Sequence, residues 1–149
     1  MKRVAAAVLV VAGMAAGVGS AGAAEGNELT AIRTGQHATF DRVVFEFNGA
    51  RPTVTHGRTS QLVHCASGKD IEANGDEFVE ITMQPANAHN YTGARRFDTP
   101  GLKKVRSVSN TCDFEAHLSF GIGYVGTGRA YTVSFLDNPS RVVIDFNNS

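Results

Sequence analysis

The chain has 149 residues, in which 14 Lys and Arg balance 14 Asp and Glu, with five His, two Cys and no Trp. That length supports one domain around one core and leaves no room for a catalytic domain beside a separate binding domain. A neutral chain without a basic excess does not fit a nucleic-acid binder, so nucleic acid is not expected as a partner.

Met1-Lys2-Arg3 opens the chain with positive charge, and an uncharged apolar stretch runs from Val4 to about Met14. Small residues then lead to Ala21-Gly22-Ala23-Ala24, which fits the small-residue rule for signal-peptide cleavage after Ala23 or Ala24. Residues 1–24 therefore read as an export signal and 25–149 as the mature domain. A retained membrane anchor is the alternative, because positions 4–24 carry no charge. No Cys follows the apolar stretch to accept a lipid, so the mature protein is expected free of the membrane in an extracytoplasmic compartment. Without the first 24 residues, 12 basic and 14 acidic side chains remain, a net charge of about −2.

Export makes the cysteines legible. Cys65 and Cys112 are the only two in the chain, and oxidising compartments favour a disulfide between them. Closing a loop of about 48 residues stabilises a fold by roughly 4 kcal/mol in the chain-entropy view. A catalytic thiol would need an activating base, and the adjacent His64 points to the opposite face of a strand.

Taken in chain order, the mature sequence reads as strands. Leu29–Thr34 is a short one. Arg42–Phe47 alternates, with Val43, Phe45 and Phe47 on one face and Arg42, Val44 and Glu46 on the other. Thr53–His56 and Gln61–His64 are further short strands. Phe78–Met83 sets Val79, Ile81 and Met83 against Phe78, Glu80 and Thr82. Pro85–Ala94 has room for a short turn of helix, and Lys104–Ser109 is again a strand. His117–Tyr124 turns Leu118, Phe120, Ile122 and Tyr124 inward and His117, Ser119, Gly121 and Gly123 outward. Tyr131, Val133 and Phe135, then Val142, Ile144 and Phe146, complete the series. Turn signals separate the runs at Asn48-Gly49, Asn74-Gly75-Asp76, Thr99-Pro100-Gly101 and Asp137-Asn138-Pro139. About eight or nine short strands at this spacing specify an all-β domain, a β-sandwich or a barrel-like sheet.

One segment repeats. Arg42-Val-Val-Phe-Glu-Phe47 and Arg141-Val-Val-Ile-Asp-Phe146 share a basic first position, an acidic fifth position and the same three inward residues. Any strand with one buried face tends toward such a pattern. Equivalent places in two sheets, or direct pairing, would also produce it.

The opening Leu29-Thr-Ala-Ile-Arg-Thr-Gly35 and Phe40-Asp-Arg-Val-Val-Phe-Glu-Phe47 resemble AMIN and AMIN-like domains. So does the ending, Tyr131-Thr-Val-Ser-Phe-Leu-Asp-Asn-Pro-Ser-Arg-Val-Val-Ile-Asp-Phe146. Such modules end in a strand, an Asn/Asp-Pro turn and an Arg-led hydrophobic strand carrying an Asp. The likeness, nearest to the AMIN-like exported proteins of actinobacteria, spans nearly all of 29–146. It implies a single β-sandwich. AMIN modules of wall amidases and secretins bind peptidoglycan, which makes a cell-wall glycan or peptidoglycan the expected partner. The Cys65/Cys112 pair is not part of the family pattern.

Several constellations bear on chemistry. Gly121-Ile-Gly-Tyr-Val-Gly126 has the letters of a dinucleotide fingerprint but lies between strands, where it reads as a glycine-rich hairpin. Its Gly121 and Gly123 leave room for something to approach the outer face closely. His37, His56, His64, His89 and His117 show no metal-ligand spacing, and only His56 with His64 would meet across a hairpin. No metal or cofactor is therefore expected. Glu46 and Asp145 form the one carboxylate pair suited to hydrolysis, although pairing with Arg42 or Arg141 accounts for them equally. No nucleophile elbow or Ser/His/Asp spacing is present, so the chain is expected not to be an enzyme.

Arg95, Arg96, Lys103, Lys104 and Arg106 place five positive charges within 12 residues, suited to carboxylates or phosphates of wall polymers. Tyr91, in a polar stretch, is the best exposed aromatic for stacking on a sugar. The expected function is a secreted, envelope-associated binding domain. A secreted protein-interaction or inhibitor domain is the alternative, and a small hydrolase or metalloprotein comes last.

Overall fold

The computed structural model describes residues 27–149, so the export signal expected at 1–24 lies outside the described residues. Among the described residues there is no helix. Eleven strands form instead: β1 (Leu29–Gln36), β2 (Phe40–Phe47), β3 (Thr53–Thr59), β4 (Leu62–Val63), β5 (Asp70–Ile71), β6 (Glu77–Gln84), β7 (Arg96–Asp98), β8 (Val105–Phe114), β9 (His117–Tyr124), β10 (Tyr131–Leu136) and β11 (Ser140–Asn147). The short β5 and β7 escape the alternation rule because two or three residues carry too little pattern. Pro85–Ala94, expected to hold a helical turn, forms a loop with one tight turn from the Tyr91 amide to the Ala88 carbonyl.

Two antiparallel sheets pack face to face as a sandwich. One has the order β1-β2-β11-β10, the other β3-β6-β9-β8-β7. The inward positions of each alternating strand meet between them. Val43, Phe45 and Phe47 of β2 and Val142, Ile144 and Phe146 of β11 pack with Val79, Ile81 and Met83 of β6 and Leu118, Phe120, Ile122 and Tyr124 of β9. The rings of Phe45 and Phe120 approach across the sandwich with centroids 4.8 Å apart, within the range of favourable aromatic pairs.

The repeated segments are direct neighbours. β11 pairs antiparallel with β2, with Asp145 opposite Arg42 and Arg141 opposite Glu46. Antiparallel pairing of two segments that both begin basic and turn acidic at the fifth position sets each base against an acid. Arg42 clasps Asp145 with two hydrogen bonds, Nε to Oδ1 at 2.7 Å and Nη2 to Oδ2 at 2.8 Å.

The outer face of the five-stranded sheet is not bare. Residues 60–76 fold back over β8 and β9 as a cap. The cap has its own small core of Leu62 and Ile71 packed with Phe78 of β6. Its ties to the sandwich include the Cys65–Cys112 disulfide; the Cys65 amide on the Thr111 carbonyl at 3.0 Å; the Ser107 hydroxyl on the Asn74 carbonyl at 2.6 Å; and the Asp76 amide on the Tyr124 carbonyl at 2.8 Å. Gly121 and Gly123 make the shelf it rests on. A Cβ at Gly123 would stand 2.0 Å from the Asn74 carbonyl oxygen, and one at Gly121 2.4 Å from the Leu62 methyls. The outward positions Phe78, Ser119, Gly121 and Gly123 are consequently buried.

A buried carboxylate joins the two sheets at one end. Asp41, inward-facing at the start of β2, is fully buried. Its Oδ2 accepts the amides of Lys104 at 2.6 Å and Val105 at 3.0 Å, and its Oδ1 the Asn148 side-chain amide at 3.2 Å. These three donors satisfy a group that would otherwise be costly to bury.

Candidate functional site

The basic run does not form one patch. Arg95 turns back into the fold, donating from Nη1 to Asp113 Oδ2 at 2.9 Å and from Nη2 to the Ala88 carbonyl. Arg106 donates to the Leu102 carbonyl at 3.0 Å. Among the described residues the side chains of Arg96, Lys103 and Lys104 have no hydrogen-bond or ion-pair partner, Arg96 and Lys103 being exposed and Lys104 half-buried. Tyr91, expected to be exposed, is half-buried and packs against the main core. Its polar sequence neighbours concealed that the 85–94 loop folds down beside β1, where the Leu29 amide bonds to the Asn87 carbonyl at 2.8 Å.

Arg96 does sit in a concave setting. On β7 it lies opposite Ser109 of β8, with Asp98 opposite Ser107, so Arg96, Asp98 and Ser109 share the outer face. The cap residues Glu72 and Asn74 form the other wall of a groove of about 380 Å³, and Ser109 lies in its floor. A second groove of about 340 Å³ continues from it past Asn74 and Asp98 toward Asp76 and Arg106. Neither Ser109 nor Glu72 stood out in the sequence. Small outward residues at 107 and 109, opposite the glycines of β9, were the one available signal of a close-packed outer face.

The carboxylates considered for catalysis are held apart by arginines. Glu46 pairs with Arg33 at 2.8 Å and Asp145 with Arg42 at 2.7 Å. The bond to Asp145 holds the Arg42 guanidinium above its ordinary pKa. His56 bonds through Nδ1 to the Tyr131 hydroxyl at 2.8 Å, while His64 Nδ1 accepts the Ala66 amide at 3.3 Å. Among the described residues no three His, Cys, Asp or Glu side chains gather as metal ligands. The glycine string is a hairpin, as its sequence context indicates: Gly121 and Gly123 lie in β9 and Gly126 begins the turn to β10.

That turn is fixed by two acids, Asp76 at the end of the β5–β6 connection and Glu77 at the start of β6. Asp76 Oδ2 accepts the Gly126 amide and Glu77 Oε2 the Gly128 amide, both at 2.7 Å. Glu77 also receives the hydroxyl of the buried Tyr124. Burial, and then this bond to a carboxylate, pushes the Tyr124 hydroxyl from 10.0 up to about 12. The same bond, followed by that from Gly128, holds Glu77 below 4.5.

On the other side of the disulfide, a groove of about 660 Å³ runs past Cys65, Glu80, Thr82 and Ser119 to Phe114. Phe114, at the end of β8, is 61% exposed. Within the groove Thr82 and Ser119 bond each other at 2.8 Å, and Glu80 receives the Thr111 hydroxyl at 2.8 Å.

Among the described residues no helix is long and apolar enough to cross a membrane. The disulfide fits an oxidising, extracytoplasmic setting. No curated protein and no solved structure matches the chain. A family model for the AMIN-like domain matches residues 27–148, nearly the whole of the described chain. The chain therefore belongs to the AMIN-like domain family, modules of the non-catalytic binding type associated with the cell envelope.

Proposed function

We propose that this protein is exported through a cleaved signal at residues 1–24 and that its domain at 25–149 binds peptidoglycan or a wall glycan without catalysing a reaction. The observation that carries this reading is the family match across residues 27–148. The exposed Arg96 and Lys103 and the half-buried Lys104 carry the contacts to acidic groups of the polymer, since the side chains of Arg95 and Arg106 are already engaged within the fold. The test is co-sedimentation of the oxidised protein with insoluble wall sacculi, with and without attached anionic polymers. Saturable pelleting that falls when Arg96, Lys103 and Lys104 are changed to Ala supports the reading and locates the face. Pelleting only with polymer-bearing walls assigns the anionic polymer as ligand, and no pelleting with either overturns the reading.

A protein partner is the second reading. Phe114, more than half exposed beside the groove of about 660 Å³, favours it. A Phe114→Ala variant that still pellets with walls but loses cross-linking to an envelope protein would support that second role.

A further inference from the structure

The groove between β7 and the cap brings one buried hydroxyl without a partner together with three exposed, unpaired charges. Ser109 is completely buried, and its hydroxyl finds no hydrogen-bond partner in the protein. A buried hydroxyl without a partner costs free energy, and native folds retain few of them. Around it stand Arg96, Asp98 and Glu72, all exposed and all without an ion-pair partner among the described residues, although they line the same groove. Several other arginines and acids are tied, Arg33 to Glu46, Arg42 to Asp145, Arg51 to Asp137 and Arg95 to Asp113. Lys69, Asp70, Lys103 and Glu115 stand exposed and unpaired among the described residues but line no groove with a buried unpaired group. One free base, two free acids and an unpaired hydroxyl thus converge on a cavity of about 380 Å³, within the size range of small-ligand sites.

These groups answer a ligand that carries both charges close together. We propose that this groove binds a short zwitterionic segment, an ammonium and a carboxylate within the span of an amino acid or dipeptide. Arg96 takes the carboxylate with its planar fork of donors. Asp98 and Glu72 receive the ammonium, and the Ser109 hydroxyl bonds the segment from the floor. The adjoining groove past Asn74 toward Asp76 gives a longer chain room to continue. The inference rests on the wall-binding reading only for the source of the ligand, a peptide tethered to a wall polymer as against a free peptide.

The test uses dialanine, N-acetyl-dialanine and dialanine amide as probes, titrated into the oxidised protein and followed by amide chemical shifts. Dialanine is expected to shift Asn74, Phe97 and Ser109 saturably. Capping either end should weaken binding by roughly five- to tenfold, the effect of losing one charged contact. Arg96→Ala removes the same contact from the protein side and should weaken binding by a similar factor. Ser109→Ala should weaken binding severalfold yet leave the melting temperature equal or higher, because it removes an unpaired buried hydroxyl. A serine that is merely structural would not separate these two readouts. No saturable shift up to about 20 mM dialanine, well past the range of a weak specific site, would overturn the proposal. So would equal binding of the capped forms, or indifference to Arg96→Ala. Dialanine that displaces the protein from sacculi supports a tethered peptide as the ligand, and dialanine that binds without displacing it supports a free one. Loss of pelleting with dialanine binding intact would sink the wall reading and leave the groove assigned.

Discussion

Two acids show how single side chains set the limits of this fold. Asp41 satisfies three donors at its end of the sandwich, two amides at the entry to β8 and the Asn148 side chain. Asp41→Ala leaves two backbone amides of the β8 entry without an acceptor and should destabilise the protein by roughly 3 kcal/mol in urea denaturation. A loss below about 1 kcal/mol would mean that water reaches those amides, and the Asp41 staple would be wrong. The Tyr124–Glu77 bond makes stability fall at both extremes of pH. Glu77 is lowered below 4.5 in the folded state, so its contribution is present above that value and disappears as pH drops through the folded pKa. Tyr124 is raised from 10.0 to about 12. Its contribution is complete below pH 10 and disappears as pH climbs toward about 12. Tyr124→Phe should flatten the alkaline arm of a urea-midpoint profile and soften the acid arm. An alkaline arm that survives the substitution would contradict the assignment.

At the scale of elements, the cap is the feature that period-two reading reaches only in part. Alternation in β2, β6, β9 and β11 identifies the inward residues correctly, because burial of one face imposes that period on each strand. It also makes the β2/β11 echo legible as a possible pairing, which the Arg42–Asp145 register fulfils. Alternation says which side a residue faces and nothing about what covers that side. Alternation turns Ser119, Gly121 and Gly123 outward, and they do face out, beneath residues 60–76. Only their small size hinted at a neighbour. Two predictions follow from that geometry. Gly123→Ala sets its methyl against backbone and should cost roughly 3 kcal/mol, whereas Gly121→Ala meets the Leu62 methyls and should cost about 1 kcal/mol; equal losses in chemical denaturation would show that the cap does not rest there. Reducing Cys65–Cys112 should lower stability by up to about 4 kcal/mol and speed hydrogen exchange first in residues 60–76, with β2 and β11 still protected. Uniform exchange across the sandwich on reduction would show that the cap and sandwich open as one unit.

The whole molecule joins an antiparallel sandwich to a disulfide-tied cap, and the cap supplies one wall of the grooves beside β7 and beside Phe114. The candidate site was less legible than the fold for a physical reason. Arg95, Arg96, Lys103, Lys104 and Arg106 are close in sequence, but strand alternation and the turn at Thr99–Leu102 send them in different directions, and Arg95 and Arg106 find acceptors within the fold. Of the groups that converge with Arg96, Glu72 and Asn74 come from the cap, far earlier in the chain, and Ser109 from the neighbouring strand, which no local spacing could announce. The central claim, an oxidised domain exported to the wall and retained there by its own surface, is tested most directly by fractionating the producing cells and measuring the intact mass of the protein. The account predicts recovery in the wall fraction, release by high salt that screens exposed charges, and a mass starting after Ala23 or Ala24 and lacking the two thiol hydrogens. A full-length, reduced protein recovered from the cytoplasm would contradict it.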